Sequence, residues 1–224
     1  MLRNNADANI QDEGGNTPLH ISTPEGFSNI SQLLIDSGCE INARNNWGET
    51  PLHSAVRGKN VAGVELLLKN NANADIQDDG GNTCLNISTR EGFCNISQLL
   101  IDSGCEINGR NYMGEAPLHS AVRGKNVADV ELLLKNDADA YIQNNYGGTP
   151  LHISTHKGFS NISQLLIDSG CDVNVRNNRG ETPIYAAVSG KNVTDVELSV
   201  EDNTQGRTSR VERRGRDASS CELL

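Results

Sequence analysis

The chain has 224 residues and a formal charge of −10, and from Glu201 onward five arginines balance five acids, so the negative excess belongs to residues 1–200. Binding to nucleic acid or to an anionic membrane surface draws on clustered Lys and Arg that release counterions, so this balance argues against both and for a protein partner of basic or mixed charge. No apolar run approaches the roughly 18 residues that span a bilayer, and Met1-Leu-Arg-Asn-Asn has no apolar core behind its charge; neither membrane insertion nor a secretory leader is expected, which points to the cytoplasm and leaves the nucleus open.

In chain order, Leu2 to Gln11 reads like Leu68 to Gln77, so residues 1–11 are expected to be the close of a truncated repeat. Thr17, Thr50, Thr83, Ala116, Thr149 and Thr182 then mark one equivalent position every 33 residues. A period of this size predicts stacked supersecondary units that bury a continuous core together, each being too small to bury one alone. The units are 12–44, 45–77, 78–110, 111–143, 144–176 and a degenerate 177–198.

Residues 45–77 serve as the type unit. Asn45 to Glu49 is turn-rich, Thr50 can cap a first helix, and Pro51 suits the first helical position, where its missing N–H would have been unpaired. That helix is short and is expected to end near Gly58. A second runs from about Asn60 to Lys69, with Val61, Val64, Leu67 and Leu68 on one face. Asn71 aligns with Gly38, Gly104 and Gly170, residues that accept the left-handed conformation ending a helix.

Thr-Pro-Leu-His at 17–20, 50–53 and 149–152, the paired leucines late in the second helix, and Ser-Gly-Cys-Glu-Ile-Asn at 37–42 resemble the ankyrin repeat family over nearly all of residues 2–198. The resemblance implies an all-α solenoid of stacked helix–turn–helix units with projecting β-turns or hairpins and a concave face. It also implies that His20, His53, His119 and His152, all in one slot of the motif, are structural rings bonded to neighbouring backbone. Three copies depart from the pattern, with Cys84 and Asn86, with Ala116, and with Ile184 and Tyr185. Loss of Thr at a cap is expected to cost on the order of 1 kcal/mol. In the even units Arg-Gly-Lys-Asn at 57–60 and 123–126 places glycine one residue earlier than the family does, and a slightly different bend is expected there.

A longer period overlies the first, because 12–77 and 78–143 differ at thirteen positions only. Residues 199–224 lose the periodicity and are expected to be disordered. Arg213-Arg214-Gly215-Arg216, with Ser209, Ser219 and Ser220 nearby, could make that tail a docking segment tuned by phosphorylation.

Nothing in the chain predicts an enzyme, a cofactor or a metal. Phosphate-loop, dinucleotide, zinc-protease and serine-elbow motifs are absent, and His156 has no partner at ligand spacing. Cys39, Cys105 and Cys171 share one repeat position and lie two helix layers apart, too far for a disulfide, so they read as small buried apolar residues. Phe27, Phe93 and Phe159 read as packing residues, and the Asn-x-Ser triplets at 29–31, 95–97 and 161–163 as the start of the second helix.

The turn tips differ. The residue before the turn glycine changes from unit to unit, as Gly14, Trp47, Gly80, Met113, Tyr146 and Arg179. Trp, Tyr, Met and Arg are favoured at interface hot spots, so Trp47, Tyr112, Met113, Tyr146 and Arg179 are the candidate partner-binding residues. Glu49 and Glu115 join them as expected sources of negative potential. The resulting expectation is a non-enzymatic module that binds a protein on the face made by turn tips and first helices. The rival is a spacer within a larger ankyrin-repeat protein such as a ligase adaptor, kinase, channel or membrane–cytoskeleton linker.

Overall fold

The computed structural model describes residues 6–200; the tail from 201 to 224 and the first five residues of the truncated repeat lie outside the described residues. Two compact units divide the chain, Met1–Asn145 and Tyr146–Leu224. The first contains α1 (Pro18–Ser22), α2 (Ser28–Asp36), α3 (Pro51–Arg57), α4 (Val61–Lys69), α5 (Cys84–Glu91), α6 (Cys94–Asp102), α7 (Pro117–Arg123) and α8 (Val127–Lys135). The second contains α9 (Pro150–Lys157), α10 (Ser160–Asp168), α11 (Pro183–Ser189) and α12 (193–200), which runs past the boundary expected at 198.

Each repeat is a pair of antiparallel helices, and within a unit first helices pack on first helices and second on second. The chain is all-α with stacked repeats; among the described residues the connections between repeats are turns, and no strand forms. Leu19, Leu52, Leu85, Leu118 and Leu151, the leucines of the motif, are fully buried, as are Leu67, Leu100, Leu133 and Leu166 of the second helices. Removing these side chains from water supplies the main stabilising term, at roughly 2 kcal/mol each.

The helices within a repeat join in two ways that the 66-residue period foreshadows. In the odd repeats buried serines pair across the two helices, Ser31 with Ser22, Ser97 with Ser88 and Ser163 with Ser154, at 2.9–3.0 Å. The even repeats put Ala55 and Val64, or Ala121 and Val130, at the same places and bury them completely. Either pairing is self-consistent, since the serine hydroxyls bond each other and carbonyls of their own helices, while the even repeats put no polar side chain there.

The displaced glycine is not the left-handed residue of the bend. Lys59, Lys125 and Lys191 take the left-handed conformation at φ 55°, 59° and 60°, in register with Gly26, Gly92 and Gly158 at 78°, 78° and 71°. Glycine at 58, 124 and 190 meets a different demand. A Cβ there would lie 2.6 Å from Pro24 Cβ, 2.0 Å from Arg90 O and 2.2 Å from His156 O, so these residues let one repeat approach the backbone of the last. Asn60, Asn126 and Asn192 complete the contact by donating from Nδ2 to Thr23 O, Thr89 O and Thr155 O at 2.7–2.8 Å.

The cysteine expectation needs correcting. Cys171 is buried, but Cys39 and Cys105 are only partly so. Burial still pushes the Cys105 thiol up to about 12, which removes thiolate reactivity near neutral pH. Phe93 packs between repeats, with Lys59 Nζ 5.3 Å from the ring centre, whereas Phe27 is half exposed.

Candidate protein-binding surface

The turns that carry the candidate residues are built by one device repeated along the chain. Asp12, Asn45, Asp78, Asn111 and Asn177 each accept, through Oδ1, the N–H groups two and four residues on, at 2.8–3.0 Å. This closes a turn whose glycine must be left-handed, as at Gly48 (φ 71°) and Gly114 (φ 74°). The turn glycines are mostly buried, and the remaining backbone groups of the tips join a ladder from finger to finger. In the first unit Asn46 N–H donates to Gly14 O, Asp79 to Trp47 O and Asn145 to Met113 O at 2.9–3.0 Å, with a longer Tyr112 bond to Gly80 O at 3.4 Å. In the second unit Asn178 N–H donates to Tyr146 O at 3.0 Å.

The ladder explains why the residue before the turn glycine varies. Its carbonyl does the structural work and its side chain is left over. Trp47 and Tyr112 are 57% and 66% exposed, Met113 and Tyr146 are exposed to a similar degree, and Arg179 is exposed as well. The aromatic rings also have a support. Trp47 lies against the place where Gly14 would carry a Cβ, and Tyr112 against the place where Gly81, the counterpart of Gly15, would carry one. A ring held on one face by a glycine finger and open on the other is pre-positioned at little entropic cost.

The structure brings Trp47, Tyr112 and Met113 onto one row of fingers in the first unit, and Tyr146 and Arg179 onto the fingers of the second. Glu49 and Glu115 behave differently from expectation. Arg57 Nε donates to Glu49 Oε1 at 2.5 Å, and Arg123 Nε to Glu115 Oε1 at 2.7 Å, from the last turn of the first helix. Glu115 is 5% exposed. Their carboxylates turn inward and are neutralised, so neither projects a negative field from the tips. The exposed tip acids are Glu13 and Asp79, the latter 3.4 Å from Arg44 Nη2 in an open ion pair worth at most about 1 kcal/mol.

The histidines of the motif are structural. His20, His53 and His152 are buried, and Nδ1 of each accepts the N–H of Thr17, Thr50 or Thr149 at 3.1–3.2 Å. A backbone N–H can only donate, so Nδ1 is bare and the proton is on Nε2. Nε2 donates across the layer to Glu49 O (3.0 Å), Asn82 O (3.3 Å) and Glu181 O (3.0 Å). The ring is therefore neutral, and burial holds its pKa below the ordinary histidine value. At position 86 an asparagine makes the same two bonds, from Thr83 N–H to Oδ1 at 3.0 Å and from Nδ2 to Glu115 O at 3.4 Å. Among the described residues no three His, Cys, Asp or Glu side chains are grouped to hold a metal ion.

Sequence reasoning missed one feature. Asp129 on α8 is buried to 1% exposure, and neither carboxylate oxygen has a hydrogen-bond partner. Its equivalents are Gly63 and Asp195, and Asp195 is relieved by the Ser160 hydroxyl at 3.0 Å. At Asp129 the matching residue is Cys94, whose thiol is a poor donor, and the Ser97 hydroxyl is committed to Ser88. Burial raises Asp129 to about 6, with Ser97 a weaker lowering influence. The signal was legible as Gly63/Asp129, but the burial of that position was not.

These findings agree with what the chain is similar to. No curated protein sequence matches it. A solved structure, the crystal structure of the ankyrin repeat domain of Bcl-3, described as a unique member of the IkappaB protein family, superposes with a TM-score of 0.79 at 25% identity, covering 86% of each chain. The family model described as ankyrin repeats (3 copies) matches residues 1–78, 58–144 and 125–203. With period, helix pairs, turn ladder and bridging histidines in agreement, the chain belongs to the ankyrin repeat family.

Proposed function

We propose that the chain is a non-enzymatic module that binds a partner protein on the face made by its turn tips and first helices. Ankyrin repeats in general are protein–protein interaction modules, which supports the class. The observation that supports the site is made in each unit by itself: large side chains, Trp47, Tyr112 and Met113 in the first and Tyr146 and Arg179 in the second, are exposed on fingers joined by backbone hydrogen bonds. Aromatic anchors on a rigid ladder lose little freedom on binding and bury a large area.

The pairing of Glu49 with Arg57 and Glu115 with Arg123 shapes the partner's chemistry. The face offers apolar anchors with scattered charge of both signs, Glu13 and Asp79 at the tips and Lys59 and Lys125 at the bends. A mixed-charge segment with apolar side chains suits it better than a uniformly basic one. The test is quantitative affinity capture with the full chain against a Trp47→Ala/Tyr112→Ala/Tyr146→Ala triple variant of unchanged circular dichroism. Specific partners are expected to fall at least tenfold with the variant; undiminished capture would remove the tips from the site.

A further inference from the structure

Unit 1 contains a complete interface between an even and an odd repeat, in which α3 and α4 pack on α5 and α6. On the odd side Ile87 and Ile96 are buried at 6% and 1% exposure, and Phe93 lies beneath Lys59. On the even side Val56 is fully buried. A polar seam joins the same two repeats, with Arg57 Nη2 3.3 Å from Asp78 Oδ2 and His53 Nε2 donating to Asn82 O.

Both halves of that interface recur uncovered among the described residues. The first repeat carries the odd side residue for residue: Ile21, Phe27 and Ile30 stand for Ile87, Phe93 and Ile96, and Asp12 and Asn16 stand for Asp78 and Asn82. Here Ile30 is 52% exposed, and Ile21, Phe27 and the neighbouring Leu33 are exposed as well. The repeat at 177–200 carries the even side, with Val188 for Val56, Tyr185 for His53 and Val193 for Val61. Val188 is 62% exposed, and Tyr185, Val193 and Val200 are exposed with it.

We propose that these faces are two halves of one intermolecular interface and that copies of the chain join head to tail, the 177–200 repeat of one copy covering the Ile21, Phe27, Ile30 and Leu33 face of the next. The interface already present between 45–77 and 78–110 supplies the geometry, and the near-identity of the two odd repeats supplies the fit. Contact between two unlike faces is heterologous and leaves a free face at each end until a ring closes, so the product is an assembly whose size grows with concentration. The contact is weaker than its internal template, because Ser189 replaces Arg57 and leaves Asp12 without the ion pair that Asp78 has.

Sedimentation velocity on the full chain over a concentration series reads this directly. A monomer at low concentration is expected to give way to dimer, trimer and longer species. Ile30→Glu and Val188→Glu each block one face at a position already half open to solvent, so circular dichroism is expected to be unchanged. Each variant alone is expected to stay monomeric, whereas an equimolar mixture retains one working pair of faces and is expected to stop at a dimer. Ser189→Arg restores the cation opposite Asp12 and is expected to shift the association midpoint to at least threefold lower concentration. A full chain that is monomeric throughout overturns the proposal. So does Val188→Glu associating while Ile30→Glu does not, which would mean two like faces pair. A chain ending at residue 200 that associates while the full chain does not would also overturn it, by assigning the face to residues 201–224.

Discussion

Residues 12–77 and 78–143 reach the same arrangement from sequences that differ at thirteen positions. Their differences show what the repeat requires and what it tolerates. His20 becomes Asn86 without loss, because the asparagine makes both of the ring's hydrogen bonds. Trp47 becomes Met113 freely, because only the carbonyl at that position is structural. Gly63 becomes Asp129 at a cost, because a charge is buried where the first cassette has no side chain at all and the neighbouring Ser28 has become Cys94. Replacement is tolerated where the backbone's hydrogen-bond needs are still met, whatever the size or class of the new side chain.

The sharpest way to break the equivalence is at a residue the cassettes share. Gly58→Ala and Gly124→Ala both drive a Cβ into the previous repeat, but the neighbour differs. The first meets Pro24 Cβ at 2.6 Å and the second meets Arg90 O at 2.0 Å. Each is expected to destabilise by about 3 kcal/mol, the Arg90 clash being the larger. Urea unfolding of the two variants measures it; equal stability to wild type would show that the close approach is not needed.

The next largest effect concerns the orphan carboxylate. A group raised from 3.8 to about 6 in the folded chain binds its proton more tightly folded than unfolded. Its contribution is therefore full below pH 3.8 and is lost as pH rises through about 6. Above that pH the buried charge costs on the order of 2–3 kcal/mol. Asp129→Ala is expected to gain most of this at pH 7.5 and little at pH 4, read by denaturant midpoints at both. Cys94→Ser, which offers the donor that Ser160 gives Asp195, is expected to recover about 1 kcal/mol by a different route.

The histidine slot, filled by His20 and His53 in the first cassette and by Asn86 and His119 in the second, also sets acid sensitivity. His53 is neutral and its pKa is depressed by burial, so the unfolded chain binds the extra proton as pH falls below 6.5 and folded stability declines. Its sign opposes that of Asp129. His53→Asn copies the arrangement at Asn86 and is expected to fold, to lie within about 1 kcal/mol of wild type at neutral pH, and to lose less stability on acidification. A stability profile between pH 4 and 7 checks it; an unchanged slope would mean that another group carries the acid loss.

Period, helix pairs, the left-handed Asn71 and the fold class were legible in the sequence because each rests on local backbone chemistry repeated six times. The purpose of Gly58 was not, since a glycine demanded by Pro24 looks the same as one demanded by a turn. Nor was the inward pairing of Glu49 and Glu115, because the spacing of Arg57 and Arg123 eight residues on connects a turn to a helix end that only the fold brings together. The serine pairs were recoverable. Ser22 and Ser31 give way together to Ala55 and Val64, and joint replacement within one chain signals contact as covariation between chains does. At the tips, exposure and support came from the structure and residue type from the sequence.

The smallest expected effect lies at the cap that the second cassette lacks. Ala116 keeps the extended backbone of Thr50, and its N–H still reaches His119 Nδ1, at 3.3 Å against 3.1 Å. What is missing is a hydroxyl over the first turn. Where that hydroxyl is present it accepts at long range, 3.3 Å from Asn86 N–H and 3.4 Å from His152 N–H. Ala116→Thr is thus expected to add only about 0.5–1 kcal/mol, and Thr50→Ala to remove as much. If the cassettes are truly equivalent frames, the double variant Thr50→Ala/Ala116→Thr returns to wild-type stability within error. Thermal melting of all three decides whether the cap has the same worth in both cassettes, and a residual loss in the double variant would show that capping at Thr50 is coupled to its better-placed His53.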